Sequence, residues 1–266
     1  MSSFLDFLSR GWTLSVPGGE LCFVGSRTRK PAATRKRRTW AKWLLILIVF
    51  VLIFPIFEVA CVRFIDPPFT PLMVLRRIQA KFSARHRSRT LYRWLPLRQM
   101  PLAFLKDAWI SEDQRFFQHH GFDFHEIRRD IKESEKKGKP ARGASTITMQ
   151  CARSTFLWQG RSWVRKGLEA YYTVLMEAFL SKKRIFELYA NVIEMGDGVY
   201  GVQAAAEYYY RAPAASLTRE QAALLAAMLP NPMGWDPLHP DAALVRRQQH
   251  ILREEKSVRF PIELLR

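Results

Sequence analysis

The sequence predicts a mainly α protein that one apolar helix near the N-terminus ties to a membrane. Three observations carry this. The run Trp43–Phe57 is apolar throughout and carries no charge. Apolar side chains recur near a 3.6-residue period across 162–190, at Val164, Leu168, Tyr171, Tyr172, Leu175, Phe179, Ile185, Phe186 and Tyr189. Alternating strand-like runs are almost absent, and glycines gather at Gly143, Gly160, Gly196, Gly198 and Gly201, which marks these as loops. The chain has 266 residues, 48% of them hydrophobic, so it can bury a core and is not a disordered chain. Three cysteines, Cys22, Cys61 and Cys151, are too few and too scattered for a disulfide scaffold or a zinc site.

Charge orders the N-terminal third. Lys and Arg number 42 against 24 Asp and Glu, a net +18. Residues 1–42 hold nine Lys/Arg against Asp6 and Glu20 and read as a basic, mostly unstructured tail. The next segment, 43–62, reads as a signal anchor. Its apolar run is short of the roughly 20 residues a span needs, but Trp40, Lys42 and Trp43 suit one interface and Val59 to Val62 extend the other. A buried core helix fits badly beside so many cations, and a cleaved signal peptide would have a shorter basic head. The positive-inside rule places the tail in the cytoplasm and the rest across the membrane.

Residues 63–94 mix Leu72, Val74, Leu75 and Ile78 with Arg76, Arg77, Lys81, Arg85, Arg87 and Arg89. Such a segment either lies on anionic headgroups or is an ordinary solvated helix. The main domain is expected over 95–240, followed by a helical extension over 241–266. Within it, Thr218-Arg-Glu-Gln221 reads as a capping box opening the helix Ala222–Leu229, which Pro230-Asn-Pro232 ends.

Three clusters carry chemistry. Glu112-Asp113 precede Phe116, Phe117, His119 and His120, so an apolar wall there can raise a carboxyl pKa for acid or base work. The plain alternative is a solvated helix end, and Glu112, His119 and His120 match no standard metal spacing. Gly143 is followed by Ser145, Thr146, Thr148 and Gln150, a row of short polar side chains suited to sugar hydroxyls or a phosphate. The charged stretch from Arg129 to Arg142 before it is expected to be mobile. On a helix, Arg165, Lys166 and Glu169 share one face, as a simple ion pair or as a diphosphate clamp.

Taken in order, four patterns resemble the peptidoglycan glycosyltransferases of family 51, the glycosyltransferase domain of class A penicillin-binding proteins. They are Glu112-Asp113-xx-Phe116-xx-His119-x-Gly121, Gly143-x-Ser145-Thr146-x-Thr148-x-Gln150, Arg165-Lys166-xx-Glu169 and Lys182-xx-Ile185-Phe-Glu187-x-Tyr189-Ala-Asn191. The stretch Phe156–Glu169 resembles the monofunctional biosynthetic transglycosylases in particular, and no transpeptidase domain is read after it.

The resemblance implies a lysozyme-like, mainly α glycosyltransferase domain with a smaller membrane-facing lobe, residues 72–82 lying in the bilayer. It implies polymerisation of lipid II into β-1,4-linked glycan with inversion and release of undecaprenyl pyrophosphate. By similarity, Glu112 is the base, and Glu169 orients reactants or holds a divalent cation (Mg or Mn). Arg153, Arg161, Arg165 and Lys166 neutralise the diphosphate. Asp113, His119, Ser145, Thr146 and Gln150 line the substrate cleft. No further cofactor is implied. The partners implied are lipid II, the growing strand, membrane lipids and division or elongation proteins, at a bacterial inner membrane with the catalytic domain periplasmic.

Met149, Arg153, Ser154 and Ala190 depart from the family pattern, and Met149 takes a hydrogen-bonding amide out of the expected cleft. A strand-cleaving, lysozyme-like enzyme would share the fold without needing the cationic clamp. A non-catalytic scaffold would tolerate losing Glu112 or Glu169. Nucleic acid is not expected, because no recognition motif accompanies the charge.

Overall fold

The computed structural model describes residues 33–82, 89–138, 145–160 and 162–265, with side chains from Trp40 onward. The sequence readings of residues 1–32, of Arg85 and Arg87, of Arg142 and Gly143, and of Arg161 lie outside these. The chain divides into two units, one ending at Ile53 and one beginning at Phe54.

Helix α1 runs Ala33–Phe64 and contains the segment Trp40–Phe64, long and apolar enough to cross a membrane. Nearly all its side chains up to Phe54 are exposed, as a lipid-facing surface requires. The helix continues through Pro55, whose missing N–H removes one backbone bond. Its last turns belong to the second unit, where Val59 and Val62 join the main core.

The second unit is built from α2 (Pro71–Phe82), α3 (Leu102–Glu112), α4 (Phe124–Lys137), α5 (Ile147–Phe156), α6 (Trp163–Phe179), α7 (Lys182–Val192), α8 (Gly201–Ala205), α9 (Arg219–Met228) and α10 (Ala242–Ser257). Local chemistry sets most of the boundaries. Asp123, Thr146, Ser162, Ser181, Thr218 and Asp241 each cap the following helix through a side-chain oxygen. The expected capping box at Thr218 and Gln221 is present, and its helix begins at Arg219, directly after the cap. The period read across 162–190 is carried by two helices, because Leu180 leaves helical geometry and Ser181 starts α7. Residues 129–137 of the charged stretch are helical, closed by Gly138 in the left-handed region.

One core joins these helices around Phe104, Phe116, Met176, Phe186 and Tyr189, all fully buried. Phe186 lies 5.5 Å from Phe116 and stacks parallel on Tyr189 at 6.3 Å. Helix α3 packs on α9 and α10, and α5 packs on α6, α7 and α2. Three short strands, β1 (Leu91–Tyr92), β2 (Glu194–Gly196) and β3 (Val199–Tyr200), form a sheet in the order β1-β3-β2, parallel then antiparallel. Leu72 and Met73 of α2 are buried with Tyr200 in a second, smaller cluster. These two therefore leave the surface expected to meet the bilayer, while Val74, Leu75, Ile78 and Phe82 stay exposed.

Two positions are constrained in opposite ways. Gly201 has φ +77°, and a Cβ there would meet the Asn191 carbonyl oxygen at 2.3 Å. That contact is with backbone, so it cannot yield. Gly201→Ala should therefore cost at least about 2 kcal/mol and lower the thermal midpoint by several degrees.

Asp107 is fully buried on α3 with no hydrogen bond to either carboxylate oxygen. Burial, reinforced by Glu255 and opposed by Arg219 and Lys106, pushes its pKa from 3.8 up to about 7. The folded chain thus holds this proton to higher pH than the unfolded one, so its contribution to stability falls as pH rises from about 4 to 7. Asp107→Asn should flatten that slope in melting curves taken across pH 4 to 8, with its advantage largest above pH 7.

Candidate active site

The end of α3 delivers Glu112 and Asp113 in opposite senses. Glu112 is the last helical residue. Asp113 departs with φ −165° and its N–H returns to Trp109 O at 3.0 Å. The chain then turns back to Gly121, whose φ of +86° and 2.7 Å clearance from Thr173 Cγ2 for an added Cβ require glycine. Gly121 O accepts the Thr146 hydroxyl at 2.6 Å, and Thr146 in turn caps α5. Asp113 Oδ2 accepts the first amide of α5, Ile147 N, at 3.0 Å, and His119 Nε2 at 3.0 Å. Of two expected substrate contacts, Asp113 thus spends its carboxylate on His119 and on the start of α5, while His119 Nδ1 is buried with no partner among the described residues.

A cavity of about 360 Å³ opens at this junction, lined by Glu112, Asp113, Ser145 and Thr146 together with Arg115 and Arg129. Glu112 Oε2 accepts Gln150 Nε2 at 2.8 Å and its Oε1 accepts Ser111 Oγ at 3.1 Å. Gln150 is held from behind, since the Tyr189 hydroxyl donates to its Oε1 at 3.4 Å. Ser111 Oγ also receives Arg247 Nη2 from α10 at 3.2 Å. Burial raises the Glu112 pKa above the ordinary 4.5; the bonds from Gln150 and Ser111 and the charge of Arg247 pull the other way, and Asp113 adds to the rise. Glu112 is therefore a stronger proton acceptor than a solvated carboxylate.

The third cluster forms on α6, outside the lining of that cavity. Glu169 is fully buried, with Arg165 Nη1 on its Oε2 at 2.7 Å and Lys166 Nζ on its Oε1. Each carboxylate oxygen already carries a cation, so Arg165 and Lys166 hold the place that the expected Mg or Mn would take, and a divalent ion does not fit beside them. Arg165 Nε is buried with no partner among the described residues, and Lys166 keeps 41% of its side chain exposed. Arg153 is half-buried on α5 with its charge felt at Tyr189, and no hydrogen bond or ion pair to its side chain occurs among the described residues.

Of the departures, Met149, Ser154 and Ala190 are buried, so the loss of an amide at Met149 does not alter the cleft lining. His120 is exposed and does not belong to the metal-like cluster found among the described residues. The three carboxylate and imidazole groups that do converge are Asp113, His119 and Asp123, within 4.8 Å of one another. Asp123 Oδ1 caps α4 by accepting His125 N and Glu126 N at 3.0 Å each. With Asp113 committed as described, this trio is explained by capping.

Sequence reasoning did not single out Arg115, Asp123 and Glu126 as cleft residues, nor the chain Thr148–Glu177–Lys182. Thr148 donates to Glu177 Oε1 at 2.6 Å, and Lys182 Nζ donates to the same oxygen at 2.8 Å while sitting 4.4 Å over the Phe116 ring. Burial lowers the Lys182 pKa, opposed by that bond to Glu177. The place of Lys182 at the head of the fourth pattern was the one available signal; the rest depends on tertiary proximity.

The sequence profile of the family described as Transglycosylase matches residues 79–256. A biosynthetic peptidoglycan transglycosylase of Xanthomonas euvesicatoria is 40% identical over 236 residues, 89% of this chain and 95% of that protein. Proteins of the same name from Caulobacter vibrioides and Bacteroides thetaiotaomicron are 41% and 43% identical, covering 84% and 87% of this chain and 94% and 92% of their own lengths.

Removing the Gln150 amide should push the Glu112 titration further upward, because that bond favours the carboxylate. In ¹³C NMR titrations of carboxyl-labelled glutamate, Gln150→Leu should move the Glu112 midpoint to higher pH; an unchanged or lower midpoint would count against this geometry.

Proposed function

Because the chain belongs to the transglycosylase family, we propose from the geometry of its cleft how it carries out peptidoglycan glycosyltransfer. The activity itself is that of a peptidoglycan glycosyltransferase acting on lipid II and the glycan strand. Glu112 is the general base. Its carboxylate takes the proton of the acceptor 4-hydroxyl as that oxygen attacks the anomeric carbon of the donor. The new C–O bond forms on one face while the bond to the diphosphate breaks on the other, giving a β-1,4 linkage with inversion and free undecaprenyl pyrophosphate.

The observation that carries this is a half-buried carboxyl at the cavity wall, with one oxygen fixed by Gln150 and the other by Ser111. The two bonds orient Glu112, and burial raises its basicity toward the operating pH. Arg153, Arg165 and Lys166 receive the charge that develops on the departing diphosphate, and Glu169 holds the last two in place. Arg161 joins them by its position in the motif. Ser145 and Thr146 supply polar lining for the sugar.

The segment Trp40–Phe64 anchors the chain in the bacterial inner membrane as a single pass, basic tail in the cytoplasm and catalytic domain in the periplasm. Val74, Leu75, Ile78 and Phe82, exposed on α2 beside Arg77 and Lys81, meet the bilayer where the polyprenyl substrate enters. Division or elongation proteins recruit the enzyme to sites of growth.

Labelled lipid II in detergent tests the reading. Wild type should form polymer, and Glu112→Gln should lower the rate by at least about 100-fold. Polymer from both at equal rates would remove Glu112 from the mechanism. Shortening of preformed strands by wild type, without polymer, would point to a cleaving enzyme.

A further inference from the structure

The cavity in front of Glu112 contains two arginines at positions that the family pattern leaves open. Arg115 stands three residues after Glu112 in the turn, and Arg129 lies on the second turn of α4. Arg129 is paired with Glu126 one turn back. Arg115 is matched more loosely, by an ion pair with Asp123. Its Nε lies 3.4 Å from Asp123 Oδ2 without a hydrogen bond, and no other bond to its guanidinium occurs among the described residues. Asp123 cannot swing out to improve that contact, because its other oxygen caps α4. Of the other acids at this wall, Asp113 is committed to His119 and Ile147, Glu126 to Arg129, and Glu112 to Gln150 and Ser111. A guanidinium with 39% of its side chain exposed thus lines the cavity with its two terminal nitrogens unbonded among the described residues.

The cavity can be assigned to one side of the reaction. A base touches the acceptor hydroxyl, and inversion puts the leaving diphosphate across the anomeric carbon from it. Arg153, Arg165 and Lys166, the cations assigned to that diphosphate, line none of this cavity. The space beside Arg115 therefore belongs to the acceptor. We propose that Arg115, seconded by Arg129, binds an anionic group of the acceptor substrate, either a carboxylate of its peptide stem or its own diphosphate. This rests on the reading of Glu112 as the base. A planar guanidinium suits both anions, since each can accept two parallel hydrogen bonds.

The test uses the full chain in detergent, titrated with lipid II. Arg115→Gln should raise KM about tenfold with kcat within about threefold of wild type, the size expected for losing a charge-assisted hydrogen bond. Arg115→Lys should recover part of the loss, and the thermal midpoint of both variants should match wild type. Lipid II with amidated stem carboxylates separates the two sources. If wild type then binds as weakly as Arg115→Gln, a stem carboxylate is the ligand. If the tenfold difference between the two proteins persists, the ligand is the diphosphate. An unchanged KM in Arg115→Gln, or a fall in kcat alone, overturns the proposal. Full activity in Glu112→Gln would instead overturn the assignment of the base.

Discussion

The cleft depends on one carboxylate that is not itself a reacting group. Asp113 takes the first amide of α5 and the imidazole of His119 at the same time, 34 residues and six residues away along the chain. An uncapped helix start in a buried place would leave amides unsatisfied, at a cost of about 1–3 kcal/mol each. Asp113 removes that cost only if α3 ends where α5 begins. That junction sets Glu112 beside Gln150, with Thr146 on Gly121 O as a second tie between the same two segments. The family-like pairing of glutamate and aspartate is thus a division of labour: one carboxylate builds the joint and its neighbour faces the cavity.

Electrostatics keep the two glutamates different. Glu112 meets an amide and a hydroxyl, neutral donors that orient it without cancelling the effect of burial, so its pKa rises. Glu169 meets two cations four and three residues back on one helix face. A carboxylate so paired serves as the fixed counter-ion that holds Arg165 and Lys166 against their own repulsion. Two identical side chains thus acquire separate roles from their surroundings.

The end of the apolar helix is part of the catalytic body. Glu58 accepts the Tyr172 hydroxyl of α6, and Arg63 donates to Phe179 O at 3.1 Å. Arg184 of α7 donates to Val62 O at 2.9 Å and Ile65 O at 3.1 Å and pairs with Asp66 and Glu187. Carbonyls at a helix C-terminus have no partners of their own, and a guanidinium fork is suited to take two of them. Residues from Phe54 to Asp66 are therefore docked on α6 and α7 rather than hanging from them, which ties the height of the cleft to the end of the span.

What this sequence determined by itself is whatever short-range chemistry decides. The apolar run identified the candidate span, side-chain caps such as Thr218 with Gln221 marked helix starts, and the 3.6-residue period found α6 and α7. Arg165, Lys166 and Glu169 could be placed on one face because their spacing lies within a single turn. Tertiary structure alone decided the cleft. The contacts Glu112–Gln150, Asp113–Ile147 and Gly121–Thr173 join segments 34 to 52 residues apart, and no local pattern encodes such proximity. It decided equally that Met149 turns inward, that Leu72 and Met73 pack on Tyr200 instead of facing lipid, and that Arg115 reaches the cavity. Periodicity says which face of a helix is apolar; only the packing of one helix on another says what that face meets.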